Sequence, residues 1–140
     1  MAAPAERPPL VLVDAANVVG SVPDGWWRDR RGAATRLRDG FARLAADGLP
    51  GGGAPEWARR GPLEIVMVVE GRARGVASTA TVRVVEAPGS GDDLLVDLVR
   101  REGAGRRCLV VTADNPLRAR VVALGAEVAG PGTVRPREAR

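Results

Sequence analysis

The sequence has no histidine and only one cysteine, Cys108, among its 140 residues. One cysteine cannot form a disulfide within the chain, and a zinc site built from thiolate and imidazole groups would have too few ligands. Cys108 lies in the strand-like run CLVVT, so we expect it to pack in the core. A metal site in this chain would therefore need oxygen ligands.

Long apolar runs are absent as well. The longest runs, such as LEIVMVVE at 63–70, have the length of a strand and are far too short to span a bilayer. The first ten residues, MAAPAERPPL, contain an acid and prolines where a secretion signal would have a basic start and an apolar stretch. We therefore expect a cytoplasmic protein with no membrane partner.

Lysine is missing too, because all 21 basic residues are arginine, and the formal net charge is +4. The sequence pI of about 11.0 indicates a chain that attracts polyanions, which makes nucleic acid a reasonable partner. A high content of Ala, Gly, Pro and Arg is also what GC-rich coding produces regardless of function. The charge therefore permits nucleic-acid binding without requiring it.

The hydrophobic pattern predicts strands that alternate with helices. Short apolar runs predict five strands, at 10–14, 63–70, 80–87, 108–112 and 126–130. Apolar residues at three- and four-residue steps predict three helices, at 33–48, 91–102 and 115–125. This alternation is typical of a three-layer α/β/α domain with a mostly parallel central sheet. We expect one domain over 1–140, with a flexible leader at 1–8 and a loose tail from about 131 to 140.

Acidic residues stand at the predicted strand ends. Asp14, Glu70 and Asp114 each end a strand, while Asp92 and Asp93 open the helix after the third strand. In a parallel sheet these ends lie along one edge, where unit charges a few ångströms apart repel by roughly 1 to 4 kcal/mol per pair. A divalent cation would relieve this repulsion, and oxygen ligands alone favour Mg²⁺ or Mn²⁺.

Each acid also has a structural explanation of its own. Asp92 or Asp93 at a helix start, and Asp114 before Asn-Pro, are suited to helix capping, and Asp14 could fix its own loop. Glu70 is harder to explain in this way because glutamate is a poor strand former. Four acidic positions along one edge favour a metal site over four unrelated caps.

Several polar residues near these acids are candidates for substrate contact. Thr112 and Ser90 carry hydroxyls that could bind a phosphate oxygen, or that could equally help to cap the following helix. Arg118, in the first turn after Asp114, could bind a phosphate with two hydrogen bonds or pair with one of the acids.

A loop with two adjacent tryptophans, Trp26 and Trp27, is the second candidate contact. Together with Arg28 it suggests a surface for base stacking and phosphate binding, in which one tryptophan covers the first helix and the other meets substrate. Arg72 follows Glu70 closely and extends a basic rim around the acidic centre.

Four stretches together resemble the NYN domain, a branch of the PIN-like nuclease superfamily, and specifically its bacterial YacP-like members. They are VDAANVVGS, VVEG, GSGDD and VVTADNPLRARVVALGAEVAG. The resemblance covers most of the chain and implies a PIN-like α/β/α fold. It implies divalent-metal-dependent RNA cleavage by a metal-activated water. It makes Asp14, Asn17, Asp92 and Asp114 the catalytic residues, with Asn17 orienting ligand or substrate, and adds Glu70 and Asp93 to the metal ligands.

The chain departs from that family pattern in two places. Glu70 stands where many relatives have aspartate, and no second carboxylate follows Asp114 in the next turn. One bound ion is therefore a safer expectation than two.

The predicted function is a metal-dependent endoribonuclease acting on single-stranded or exposed RNA. Two alternatives stay open: a phosphohydrolase or pyrophosphohydrolase of free nucleotides, and a non-catalytic RNA- or ribosome-binding module or the toxin half of a regulated pair. Association with the ribosome and formation of a homodimer are also left open.

Overall fold

The fold is a five-stranded sheet in which all strands run parallel, seen in a computed structural model that describes residues 7–135. The strands are β1 (Leu10–Asp14), β2 (Glu64–Val69), β3 (Val82–Glu86), β4 (Cys108–Val111) and β5 (Glu127–Ala129). Their order across the sheet is β3-β2-β1-β4-β5. The predicted α/β class and its parallel sheet are confirmed.

Four α-helices flank the sheet within residues 7–135. They are α1 (Ala15–Gly20), α2 (Arg30–Asp47), α3 (Gly91–Glu102) and α4 (Asn115–Val122). The short helix α1 is missing from the sequence prediction, which had only a loop there. Helix α2 begins three residues before its predicted start, because the Asp29 side chain accepts the Gly32 N–H at 2.9 Å and caps the helix.

The helices cover both faces of the sheet, and the strands alternate between the two cores. Val11 and Val13 of β1 pack with α1 and α2, around the fully buried Phe41. Leu10 and Leu12 face the opposite core with α3 and α4. Cys108 is buried in that second core, as predicted, and burial raises the pKa of its thiol to about 11. Strands buried on both faces explain the nearly continuous apolar runs of the sequence.

The connection between β2 and β3 is unusually short for a parallel pair. The 3-10 turn Gly71–Ala73 is its regular element, and the rest of the segment reaches β3 without a helix. A link of this length is close to the minimum for a parallel crossover and has no room for a full helix.

The strand order creates a crevice at one place in the sheet. After β3 the chain crosses back through α3 to β4, which pairs with β1 on the side opposite β2. Ligands of open parallel sheets bind outside the carboxyl ends of the strands where the order reverses in this way. Here that place lies between the ends of β1 and β4.

The chain ends differ in part from the prediction. Residues 131–135 were predicted to belong to a loose tail, but Pro131–Val134 forms a 3-10 turn in which Thr133 and Val134 are buried. The rest of the predicted tail and residues 1–6 of the predicted leader lie outside the described residues. No helix within 7–135 has both the length and the apolar character needed to cross a bilayer.

Candidate active site

Acidic side chains from distant parts of the sequence meet in one cleft. The cleft has a volume of about 410 Å³ and lies at the carboxyl ends of β1, β2 and β4. It is lined by Asp14, Ala16, Asn17, Glu70, Ser90, Asp92 and Asp114. Four of the five predicted acids, together with Asn17 and Ser90, are therefore brought together.

Asp14 is the most buried of these acids, with 8% of its surface exposed. Its Oδ2 accepts the Thr112 hydroxyl at 2.9 Å, and its Oδ1 accepts the Asn17 N–H at the start of α1 at 3.4 Å. Burial raises the pKa of Asp14 to about 6, the two hydrogen bonds oppose this rise, and the charges of Asp92 and Glu70 add to it. The fold thus holds a carboxylate where ionisation is costly.

Thr112 lies beneath the cleft and does not face it. It is fully buried, and its Oγ1 donates to Asp14 while accepting the Asp114 N–H at 3.1 Å. This position does not support the prediction that the hydroxyl binds a substrate phosphate, and the bond from the Asp114 N–H is closer to the alternative capping role. Thr112 instead fixes the two aspartates relative to each other, on either side of the β1–β4 crevice.

Asn17 and Asp114 join α1 to the start of α4. The Asn17 Oδ1 accepts the Ala113 N–H at 2.8 Å, so its amide NH₂ is the group left for a ligand. Asp114 caps α4 by accepting the Leu117 N–H at 2.9 Å and also lines the cleft. The predicted helix-capping role of Asp114 is confirmed, and the same side chain also lines the cleft.

Glu70 and Asp92 approach the cleft from the other side. A Glu70 carboxylate oxygen accepts the Gly91 N–H at the start of α3, where a Cβ on Gly91 would lie 3.1 Å from that oxygen. Ser90 caps α3 by accepting the Asp92 N–H at 3.1 Å. Because Ser90 supplies the cap, the Asp92 carboxylate is not needed there. Burial raises the pKa of Asp92, the charges of Asp114 and Glu70 raise it further, and the charge of Arg120 opposes the rise.

Asp93, the fifth predicted acid, lies outside the cleft. Its exposed carboxylate pairs with Arg120 of α4 at 3.1 Å. The prediction that Asp93 is a metal ligand is therefore not supported by its position. One residue along a helix turns a side chain by more than a quarter of a turn, which separates Asp92 from Asp93.

The four cleft acids lack a salt-bridge partner among the described residues, although the charge of Arg120 acts on Asp92 from a longer distance. None of the salt bridges within residues 7–135 includes Asp14, Glu70, Asp92 or Asp114. Within the same residues, no group of three or more His, Cys, Asp or Glu side chains is arranged to hold a metal ion by itself. Direct coordination by this chain is thus limited to one or two carboxylates, with water or a ligand completing the shell.

A second cleft adjoins the acidic one and contains Trp26. It has a volume of about 290 Å³, and Ala16 and Glu70 line both clefts. Trp26 is partly buried there, and the Arg30 guanidinium lies 5.2 Å from its ring centre. The sequence did not predict the apolar wall of this cleft. The signal available was the pair of small residues after Asp14, Ala15 and Ala16, which line the cleft.

The neighbouring loop residues lie farther from the clefts. Trp27 is 51% exposed and contacts the Trp26 ring edge to face, and Arg28 lies over Trp27 at 5.8 Å. The structure therefore brings Trp26, and not Arg28, to the cleft.

The two other predicted arginines differ from each other. Arg118 donates from Nε to the Thr112 carbonyl at 2.8 Å and so braces the end of β4 without pairing with an acid. Arg72 is exposed on the 3-10 turn after Glu70.

Solved structures share this architecture. The chain is similar to Rae1 (YacP) from Bacillus subtilis, with a TM-score of 0.67 and 15% identity over 89% of this chain and 70% of that one. A single-site mutant of the same protein gives a TM-score of 0.68 and 15% identity, covering 90% and 72%. No family model and no curated protein matches the chain. The structural likeness confirms the YacP-like fold that the sequence predicted.

Proposed function

We propose that the protein is a divalent-metal-dependent endoribonuclease that hydrolyses phosphodiester bonds in single-stranded or exposed RNA. The observation that carries this proposal is the acidic cleft. In a chain with 21 arginines, four converging carboxylates form no salt bridge within residues 7–135. Such a cluster is unfavourable unless a cation enters it.

The donor set fits a hydrated Mg²⁺ or Mn²⁺ ion. These ions prefer carboxylate and water oxygens, and Mg²⁺ commonly keeps several waters while binding one or two carboxylates and a substrate phosphate. Asp14, Glu70, Asp92 and Asp114 would hold the ion, one or two of them directly and the others through water. A bound ion would supply charge neutralisation at the phosphate and a water of lowered pKa for in-line attack.

The protein's own groups then orient the reactants. Asp14 is kept in place by Thr112, and the free amide NH₂ of Asn17 can donate to a phosphate oxygen at the cleft. The hydroxyl of Ser90 is engaged as the cap of α3, so we assign no protein nucleophile and let water attack. Arg30 and Arg74 at the adjoining cleft attract the phosphate backbone toward the acidic centre.

RNA is favoured over a free nucleotide because two clefts of different character adjoin on the same edge of the sheet. An extended strand can occupy both at once, whereas a nucleoside triphosphate would place several negative charges beside four carboxylates. The likeness to Rae1 (YacP) supports the same choice through the nuclease activity that the family resemblance implies. A cytoplasmic location and partnership with RNA belong to the same proposal.

The test is cleavage of end-labelled single-stranded RNA with Mg²⁺ or Mn²⁺, compared with EDTA. Asp14→Asn and Asp114→Asn should each lower the rate at least about 100-fold, the scale of losing one electrostatic group at a reaction centre. Asp97→Asn is the matched control, because Asp97 pairs with Arg101 at 2.7 Å on the solvent-facing side of α3 and does not line the cleft. Full activity in either cleft variant contradicts the proposal.

Two further outcomes identify the rival functions. Hydrolysis of nucleoside triphosphates without RNA cleavage would make the protein a nucleotide phosphohydrolase. Strong, salt-sensitive RNA binding with neither cleavage nor cation affinity would make it a binding module.

A further inference from the structure

The residues that line the cleft containing Trp26 suit a small planar ligand. Alanine and valine side chains form its apolar wall, and Trp26 and Arg30 contribute flat surfaces. Its volume of about 290 Å³ lies at the lower limit of pockets that hold drug-sized ligands. This size suits a single ring system better than a larger ligand.

Two stacking surfaces meet at this pocket. The guanidinium of Arg30 lies 5.2 Å from the centre of the Trp26 ring, and Trp27 supports Trp26 edge to face with ring centres 6.0 Å apart. Indole rings and guanidinium planes are the groups on which unpaired bases stack in proteins that bind RNA.

The charge around the pocket suits a base that is attached to phosphates. Arg30 and Arg74 line it, and no phosphate is needed inside because its inner wall is apolar. The Arg74 backbone is held in place, since its carbonyl accepts the Arg31 Nε–H at 3.0 Å. Arg74 also donates to the Pro88 carbonyl at 3.4 Å. The pocket therefore combines an apolar wall with two arginines, and Glu70 lines it where it meets the acidic cleft.

The pocket is continuous with the acidic cleft. Ala16 and Glu70 line both, and the adjacent residues Gly89 and Ser90 line one each. A nucleotide whose phosphate lies among the carboxylates would therefore have its base, or that of its neighbour, at the mouth of the pocket.

From this geometry we infer that the Trp26 cleft binds one unpaired base of the RNA strand beside the phosphate that is cleaved. The inference rests on the proposed nuclease function and adds a substrate requirement. A base that is stacked and paired in a duplex must first be extruded to enter such a pocket, at a cost of a few kcal/mol. The enzyme should therefore select single-stranded segments and loops.

The experiment measures binding of short single-stranded RNAs in EDTA, so that it does not depend on cleavage. In a series of oligonucleotides, each position in turn carries an abasic ribose. One abasic position should weaken binding to the wild-type protein roughly 5- to 150-fold, the range expected for one stacked base. The same position should have no effect on Trp26→Ala.

Two more variants separate pocket loss from misfolding. Ala73→Phe keeps Trp26 and fills the pocket from the 3-10 turn Gly71–Ala73, so it should weaken binding as Trp26→Ala does. Val122→Ala is the control, because Val122 is 52% exposed on α4 and lines neither cleft. It should bind within about 2-fold of wild type, since substitutions away from a contact have small effects. Circular dichroism confirms that each variant is folded.

The outcomes distinguish this inference from the proposed function. An abasic effect that disappears in Trp26→Ala supports the pocket even if the protein cleaves nothing. Cleavage and binding that are unchanged in both Trp26→Ala and Ala73→Phe overturn the pocket while leaving the nuclease in place. Tighter binding of free nucleoside monophosphates than of oligonucleotides also overturns it, because the pocket would then serve a free nucleotide.

Discussion

The acidic residues at the two ends of the parallel strands have opposite surroundings. At the amino-terminal edge, Glu64 at the start of β2 lies among three guanidinium groups. Arg106 is 2.8 Å from it, and Arg7 and Arg83 are each 3.7 Å away. At the carboxyl-terminal edge, the four cleft acids have no such partner within residues 7–135. Arginine is plentiful in this chain, so the difference lies in where the fold places it.

The difference separates structural acids from functional ones. Glu64 neutralises Arg106, whose side chain is only 5% exposed. Arg106 lies in the segment between α3 and β4. That pairing ties the start of β2 to the segment before β4, with β1 lying between the two strands. Asp14 is buried with a raised pKa and only hydrogen bonds to offset its charge, which costs stability. Ionisable groups perturbed in this way are enriched at functional sites, which supports the cation site proposed above.

The largest expected effect is a difference in RNA cleavage rate between variants of two adjacent acids, one inside the cleft and one outside it. Asp92→Asn should lower RNA cleavage at least about 100-fold, because it removes an anion from the centre. Asp93→Asn, one residue on, should leave the rate within about 2-fold, because Asp93 faces Arg120. Initial rates with Mn²⁺ measure both. Equal losses in the two variants would mean that the cleft does not define the site.

The next effect is on stability and uses the raised pKa of Asp14. Its pKa rises from 3.8 to about 6 on folding, so its contribution to stability is fully present below about pH 4 and is lost as pH rises through 6. Asp14→Asn, which stays neutral, should therefore raise the free energy of unfolding at pH 7 in EDTA by up to about 3 kcal/mol.

The pH dependence is the control for that stability effect. The gain from Asp14→Asn should shrink toward zero below about pH 3, where the aspartate is protonated in both states. Urea unfolding at several pH values measures it. A variant that is less stable than wild type at pH 7 would contradict the electrostatic account of this edge.

Neutralising Glu64 should lower the free energy of unfolding, whereas neutralising Asp14 should raise it. Glu64→Gln removes the charge that faces buried Arg106, so it should lower the free energy of unfolding by about 2 kcal/mol. Cleavage should keep its wild-type rate, since Glu64 lies at the far edge of the sheet. The measurement is urea unfolding beside a cleavage assay. A stability gain from Glu64→Gln would remove the contrast between the two edges.

The smallest effect belongs to the exposed pair of Asp93 and Arg120. Asp93→Asn should change the free energy of unfolding by less than about 1 kcal/mol, as exposed ion pairs contribute little. Thermal unfolding of this variant in 50 mM and 500 mM salt, beside wild type, would detect a larger role if the pair had one.

Much of the fold follows from the sequence because the parallel sheet imposes a strong pattern. Apolar runs ending in Asp14 and Glu70 predicted two strands and one shared edge. Helix α1 could not be predicted, since six residues carry too little periodicity and the helix begins directly at the Asp14 cap.

The site was harder to predict in detail. Asp92 and Asp93 both suit a helix start, and only the rotation of α3 against the sheet decides which one faces the cleft. Thr112 lies between two predicted site residues, yet the bonds that turn its hydroxyl inward come from tertiary structure. The Trp26 cleft is formed by segments that are distant in sequence, so no local pattern marks it.

The most direct measurement is a calorimetric titration of the protein with Mn²⁺ at pH 7. Wild type and Asp93→Asn should bind with the same affinity, while Asp14→Asn and Asp92→Asn should bind at least about 10-fold more weakly, as expected for losing a ligand that contributes more than 1.4 kcal/mol. Absence of Mn²⁺ binding by the wild-type protein, or binding that survives unchanged in Asp14→Asn, would contradict the assignment of this cleft as a cation site.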